Sequence, residues 1–439
     1  MRPRLILLLP LLLLLHACTP RVSAPPRPPS TGVDIDGGRP VLVAGEEPQV
    51  RILLARSVNA MKIESPQSVE IYDAKGRRLI RLKGRRVYHL FQDPKHPEEL
   101  RIFESVHGGR SLEAEGKIPL ETGTRLVPGS ASFELNGKRY RGSLRLIRRG
   151  SHFTCVNHLP MEEYLRGVVP HEIGHLGRDG YEAMKVQAVA SRTYAVQRLR
   201  ESRGAEWDMV DTIYDQVYEG AGSWEPADRA IRATRGELVA LGKEPAEVYY
   251  SSTCGGHTAD IGVVWNHAGA PHMEGVRDAD ALGRSWCRSS RYFRWTHSWS
   301  AAELGRIFRS YLPGAAGLPA GTRIGRLRDV RILEYSPEGR VQVLEVVSDQ
   351  GRFQVRGDRV RTAMKRNMSG LALRSTMFRL GKEYDEEGRL VRVMAHGAGW
   401  GHGIGLCQVG AIERSKAGQD YREILKAYFP GTTIRRFWP

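Results

Sequence analysis

The chain has 439 residues and a formal net charge of +17, long enough for two or three packed units once a leader and a tether are set aside. No stretch beyond the leader is both apolar and long enough to be a helical span of a bilayer. The charge calls for polyanions, and the secretory leader turns the choice away from nucleic acid toward phospholipid head groups, lipopolysaccharide or teichoic acids and peptidoglycan carboxylates; a compositional bias toward arginine is the equally plain alternative.

Arg2 and Arg4 precede an apolar run from Leu5 to Leu15, broken only by Pro10. The run is too short for a transmembrane helix and reads as a secretory signal peptide. It ends in Leu15-His16-Ala17-Cys18, which looks like a bacterial lipobox with His16 in place of the usual small or aliphatic residue. Cys18 is then acylated and becomes the new N-terminus; the alternative is an ordinary signal peptide with an incidental cysteine. The expected location is the cell envelope, as a lipoprotein anchored to a membrane on the extracytoplasmic side. Residues 19–47 form the tether, with Pro20, Pro25, Pro26, Pro28 and Pro29 among Ser, Thr, Arg and Gly, a composition that buries no core.

Residues 48–150 read as β-rich. Val50 to Leu54 and Val69 to Tyr72 are strand candidates, the second followed by the turn Asp73-Ala74-Lys75-Gly76. Ser132 to Leu135, the turn Asn136-Gly137 and an alternating run from Tyr140 to Ile147 carry a hairpin signature. From residue 151 the spacing turns helical, over Met161–Val168 and Tyr181–Arg200. On the second helix Tyr181, Met184, Ala188, Ala195 and Leu199 form an apolar stripe that contains Arg192, which either snorkels outward or is held inward by a carboxylate. A β-rich insertion lies near 325–361, with Val330 to Tyr335, the turn Ser336-Pro337-Glu338-Gly339, and Val341 to Val347. A glycine-rich loop and a closing helix complete the chain. The pattern predicts an α+β fold, with β-rich N-terminal and C-terminal parts around a helical core in a single multi-lobed unit.

Three segments carry the candidate chemistry. In Leu159-Pro160-Met161-Glu162-Glu163-Tyr164-Leu165-Arg166-Gly167-Val168-Val169-Pro170-His171-Glu172, Pro170 disfavours helix at Val169. Glu172 is therefore expected on a turn between two helices, where a carboxylate can point into a cleft. The alanine-rich helix adds Gln187, Arg192 and Tyr194 as polar groups that a purely structural helix does not require. The third segment, His396 to Ala411, holds five glycines between 397 and 405, which let a ligand approach the main chain at Gly403. In it Trp400 can stack on a sugar ring, and His402 can hydrogen-bond a substrate or a catalytic carboxylate.

Together these segments resemble the family of stage II sporulation protein D and the amidase enhancer, over residues 48–439. Asp215-Gln216-Val217-Tyr218, Ser251-Ser252-Thr253-Cys254-Gly255-Gly256-His257-Thr258, Gly401-His402-Gly403-Ile404-Gly405 and Tyr428-Phe429-Pro430-Gly431-Thr432 fit as well. Ser251 replaces a histidine often found there. The resemblance implies a catalytic domain over 151–439 and lytic transglycosylase activity on peptidoglycan, often on strands stripped of stem peptides. It places the catalytic acid at Glu172. Gln187, Arg192, Tyr194, Trp400, His402 and Gly403 are the candidates for binding sugar or orienting that acid.

No cofactor is required, although some relatives bind zinc near the site. Here Cys254, His257 and Cys287 are the candidate metal ligands, without an evident fourth. A disulfide between Cys254 and Cys287 is the preferred reading in an oxidising compartment. A hydrolase needs a second carboxylate, and none of these segments offers one; a transglycosylase uses one glutamate first as acid, then as base. The rival reading is a non-catalytic wall-binding protein that enhances an N-acetylmuramoyl-L-alanine amidase. The expected partners are glycan strands, a membrane through the lipid anchor and, on the rival reading, an amidase, with no nucleic acid.

Overall fold

The computed structural model describes residues 45–106, 110–267 and 269–439. The expected signal peptide, the expected lipobox at Cys18 and residues 19–44 of the expected tether lie outside them. Among the described residues no helix is long and apolar enough to cross a membrane.

Two antiparallel-rich sheets make the N-terminal half. The first has seven strands in the order Met209–Val210, Gln49–Val58, His152–Pro160, Ser143–Arg149, Thr124–Pro128, Val69–Tyr72 and Arg78–Leu82. The second has six, ordered Lys138–Tyr140, Phe133–Leu135, Ala60–Ser65, Arg86–Gln92, Glu99–Val106 and Arg110–Pro119. Alternate residues face inward, as a strand's two-residue period requires: Met61 and Ile63 from one sheet and Ile71, Leu126, Leu144 and Leu146 from the other share one core.

The Asn136-Gly137 turn forms as expected, with φ of 51° and 82° closing Leu135 onto Lys138, the backbone pattern of a two-residue hairpin. The strand after it stops at Tyr140, however, and the run to Ile147 is not continuous. The chain turns at Gly142 (φ +73°), where a Cβ would lie 2.3 Å from the His158 carbonyl oxygen, and then enters the other sheet at Ser143.

His152–Pro160, buried through most of its length, delivers the chain into the helix Met161–Arg166. The break expected at Val169 falls earlier, at Gly167-Val168. A second short helix, Val169–Ile173, carries Pro170 in its first turn, where a missing N–H costs nothing. Glu172 thus sits on a helical turn rather than a loop, and Gly174 (φ +83°) ends it.

The helix Tyr181–Glu201 is the axis of the body. Its buried residues include every position from Val186 to Val196, so it is enclosed on all sides and not striped. Alanines at 183, 188, 190 and 195 allow neighbours to approach closely. Glu225–Ala233, Gln408–Lys416 and Tyr421–Tyr428 are helices packed around it.

A second core draws on residues 295 to 395, so the strands expected near 325–361 belong to a larger packed lobe. It comprises the helix Ala301–Ala316, one sheet of Trp295–Ser300, Leu390–Gly397 and Phe378–Tyr384, and another of Leu327–Tyr335, Val341–Ser348 and Gly351–Arg356. Trp299, Phe308, Leu312, Val346 and Val393 fill it. The predicted α+β class, with β-rich parts around a helical body, is what the chain adopts.

Candidate active site

A two-residue parallel ladder brings the distant motifs together: Tyr250 pairs with Leu406 and Ser251 with Cys407. It sets Tyr250 and Gln408 beside Glu172. The Glu172 carboxylate accepts from the Val217 N–H at 2.7 Å and from Gln408 Nε2 at 3.4 Å, and the nearby Tyr250 side chain also favours its charged form. Gln408 Nε2 also lies 3.0 Å from the Glu172 carbonyl oxygen. Burial raises the pKa of Glu172 above the usual carboxylate value, and Val217, Gln408 and Tyr250 pull it partly back. Desolvation disfavours the charged form, whereas donors favour it; here desolvation wins.

The four residues from Asp215 to Tyr218 each have a distinct task. Val217 supplies the N–H to Glu172. Gln216 donates to the Tyr250 hydroxyl at 2.8 Å and accepts from Tyr164 at 3.0 Å, which orients the tyrosine that faces the acid. Asp215 accepts from Tyr194 at 3.0 Å and pairs with Arg198 at 2.9 Å. Tyr218 donates to Asn157 at 2.7 Å.

Gln187 belongs to the same network: its Oε1 accepts from Gln408 at 3.3 Å and its amide donates to Ser191 at 2.9 Å. Arg192 does not. It is fully buried, with Nε and Nη2 on the Glu162 carboxylate at 3.0 and 2.8 Å and further contacts to the carbonyls of Glu237 and Ile231. A carboxylate does hold it inward, but that carboxylate is Glu162, so neither Glu172 nor a sugar is within its reach. Tyr194 likewise spends its hydroxyl on Asp215.

In the glycine-rich loop, His402 acts on the main chain. Its Nδ1 accepts from the Ile404 N–H at 3.0 Å, so its Nε2–H donates to the Tyr250 carbonyl at 2.9 Å. Burial pushes its pKa down to about 4, which keeps the ring neutral. It positions Tyr250 and does not touch Glu172. Trp400 packs edge-on against Tyr292, with centroids 3.9 Å apart, and pairs its backbone with Thr253. Gly403 (φ +85°) leaves room for Arg340, whose Nη2 would stand 2.1 Å from a Cβ there; the space expected for a ligand is filled by a side chain of the second lobe.

Cys254 and Cys287 are both free. Their sulfurs are 3.6 Å apart, so the expected disulfide is not formed. His257 is also outside the cluster, with Nδ1 on the Thr258 carbonyl. Cys407 and Asp278 take the remaining places: the ligand atoms of Cys254, Asp278, Cys287 and Cys407 all lie within 4.8 Å of one another and all four residues are buried. The Cys254 thiol beside it holds the Cys287 sulfur well below the usual thiol range, whereas burial pushes Cys254 and Cys407 up.

A cavity of about 1020 Å³ opens beside Trp265, lined also by Asp260, Gln342, Gln354, Arg356 and Asp358. Trp265 lies 5.1 Å from the His402 ring, but none of the residues bonded to Glu172 lines the cavity. Sequence reasoning missed Tyr250, Gln408 and Glu162 as individual residues. All three lie inside or beside motifs it singled out, and the carboxylate it allowed for Arg192 was left unnamed.

Residues 149–240 match the family model described as stage II sporulation protein, and residues 279–405 match a domain of unknown function. An uncharacterized protein of Brachyspira hyodysenteriae is 29% identical over 69% of this chain and 74% of its own length. The stage II sporulation protein D of Bacillus subtilis is 27% identical over 64% of this chain and 75% of its own. The amidase enhancer of the same organism is 26% identical over 73% of this chain but only 49% of its own, so the match spans about half of that relative.

Proposed function

We propose, from the premise that the chain belongs to the family of stage II sporulation protein D and the amidase enhancer, that it is a peptidoglycan lytic transglycosylase whose proton-transferring group is Glu172. The observation that carries this reading is the setting of Glu172. It is a carboxyl raised by burial and clamped by Val217, Tyr250 and Gln408, with no cation among the causes of its shift. Such a group keeps its proton closer to neutral pH than an ordinary glutamate does.

The chemistry then needs one carboxyl. Glu172 gives its proton to the oxygen that links N-acetylmuramic acid to N-acetylglucosamine, and the C1–O bond breaks. The carboxylate left behind takes the proton of the C6 hydroxyl, whose oxygen bonds to C1 and closes a 1,6-anhydro ring. The hydrogen bonds from Val217 and Gln408, with Tyr250 close by, steady the carboxylate between these two transfers. No water enters the products, so no second carboxylate is needed to activate one. The lipid anchor at Cys18 would hold the enzyme at the membrane surface facing the wall.

The name of the amidase enhancer supports a second reading, in which the chain binds the wall and stimulates an amidase. The Glu172 clamp favours the enzyme, because an adaptor has no use for a half-buried carboxyl held toward its protonated form. Mass spectrometry of digests of denuded and intact peptidoglycan separates them. Wild type should release anhydro-muropeptides or glycan fragments and Glu172→Gln should not. Absence of product with wild type on both substrates, together with stimulation of an added amidase, would replace the enzyme reading by the adaptor.

A further inference from the structure

We propose that Cys254, Cys287, Cys407 and Asp278 form a tetrahedral site for a thiophilic divalent cation of the zinc type, which ties three distant segments together behind the catalytic clamp. The site stands on its own geometry and does not depend on the glycan reaction.

Four Zn-type bonds of about 2.3 Å to sulfur and 2.0 Å to oxygen place tetrahedral ligands about 3.8 Å apart for a sulfur pair and about 3.5 Å apart for sulfur and oxygen. The Cys254 and Cys287 sulfurs are 3.6 Å apart, and Cys254 Sγ is 3.3 Å from Asp278 Oδ2. A disulfide requires a sulfur separation near 2.05 Å and would leave Cys407 and Asp278 facing each other in a sealed interior.

The surroundings are those of a metal centre. Main-chain N–H groups point at the sulfurs: Cys254 N to Cys407 Sγ at 3.2 Å, Gly256 N to Cys254 Sγ at 3.4 Å and Gly410 N to Cys407 Sγ at 3.4 Å. Asp278 divides its oxygens. Oδ1 accepts from Tyr428 at 2.8 Å and from Arg414 at 3.3 Å, while Oδ2 faces the sulfurs. A carboxylate oriented by outer partners on one oxygen, with the other free to ligate, is a recurrent second-shell arrangement. As ligands the three sulfurs are thiolates, and with the carboxylate beside one arginine they need the positive charge that a divalent cation supplies. Cys407 is followed by Gln408, so the centre fixes the residue that clamps Glu172.

The test is metal analysis of the full mature chain purified without chelator. It should carry about one zinc per chain. Replacement by Co²⁺ should give thiolate-to-cobalt charge transfer and the visible bands of a tetrahedral ion. Cys254→Ser and Cys407→Ser should reduce retained metal about tenfold or more, whereas His257→Ala should keep it. The wild-type stoichiometry and cobalt spectrum decide the matter even if the cysteine variants fold poorly. A protein that neither contains nor takes up metal when reduced, or whose intact mass shows Cys254 and Cys287 joined and two hydrogens lost, would overturn the site; loss of metal in His257→Ala would overturn this ligand set.

Discussion

Gln408 holds Glu172 at two points, with one amide 3.0 Å from its carbonyl oxygen and 3.4 Å from its carboxylate. Main chain and side chain of the acid are fixed by one donor that comes from the opposite end of the sequence. That donor favours the ionised carboxylate. Gln408→Leu should therefore raise the Glu172 pKa further and move the alkaline limb of the rate profile upward. Loss of alignment should lower kcat by up to about a hundredfold with little change in KM. A pH–rate series on soluble glycan strands checks both.

Glu172→Gln should reduce glycan cleavage by at least about 10² to 10⁴-fold while stabilising the fold at neutral pH. The sign follows from the raised pKa. The native state prefers the neutral carboxyl, so ionisation costs stability as the pH rises above the unfolded value and until the native value is passed. An uncharged amide escapes that cost. Urea titrations should separate variant and wild type at pH 7 and bring them together near pH 4.

His402 behaves in the opposite direction. Burial pushes its pKa down to about 4, below the ordinary histidine value of about 6.5, so the unfolded chain takes up a proton that the native state refuses. Stability should fall as pH drops from about 6.5 to about 4, by on the order of 3 kcal/mol. His402→Gln should flatten that dependence. Denaturation midpoints across this window measure it.

Arg192→Ala should act on folding rather than on chemistry. It strands the buried Glu162 carboxylate, at a cost of about 3–5 kcal/mol. Soluble yield and unfolding midpoint should fall, and Arg192→Lys, which cannot reproduce the two-bond fork, should recover only part. A fully stable variant with lost activity would contradict the pairing seen here.

Asp211 is another carboxyl pushed up by burial, to about 6, and neither it nor Glu172 figures among the charges acting on the other. A one-carboxyl mechanism predicts that Asp211→Asn keeps activity within about twofold, whereas a hydrolase using it as second group would lose it. Product analysis settles which, since only the former yields anhydro ends.

Local signals were the ones the sequence displayed well. The Asn136-Gly137 turn, the Tyr181–Glu201 helix and the strands on either side of Ser336–Gly339 follow from turn chemistry and periodicity. The proline rule put the break one or two residues late, because Pro170 is tolerated in a first helical turn. The alternating run through Gly142 hid a change of sheet, which depends on the His158 carbonyl across the ladder. At the site, Glu172 was legible from its motif, but its clamp was not. Tyr250 and Gln408 are 158 residues apart in number and meet only through the ladder of Tyr250 with Leu406. The same ladder moved Cys407 into the thiol cluster in place of His257.

The second lobe leaves the body along Trp295 and returns along Gly397, residues that face each other in one antiparallel register. Its two ends are thus about 5 Å apart, and a segment spliced between such points closes no long loop in its host. Lineages can enlarge, trim or exchange this face while inheriting the acid and its clamp intact. Arg340 reaches under the loop to the carbonyls of Cys254 and His257 and the Asp358 N–H reaches the Val264 carbonyl, so a replacement lobe must supply groups of comparable bulk at these contacts.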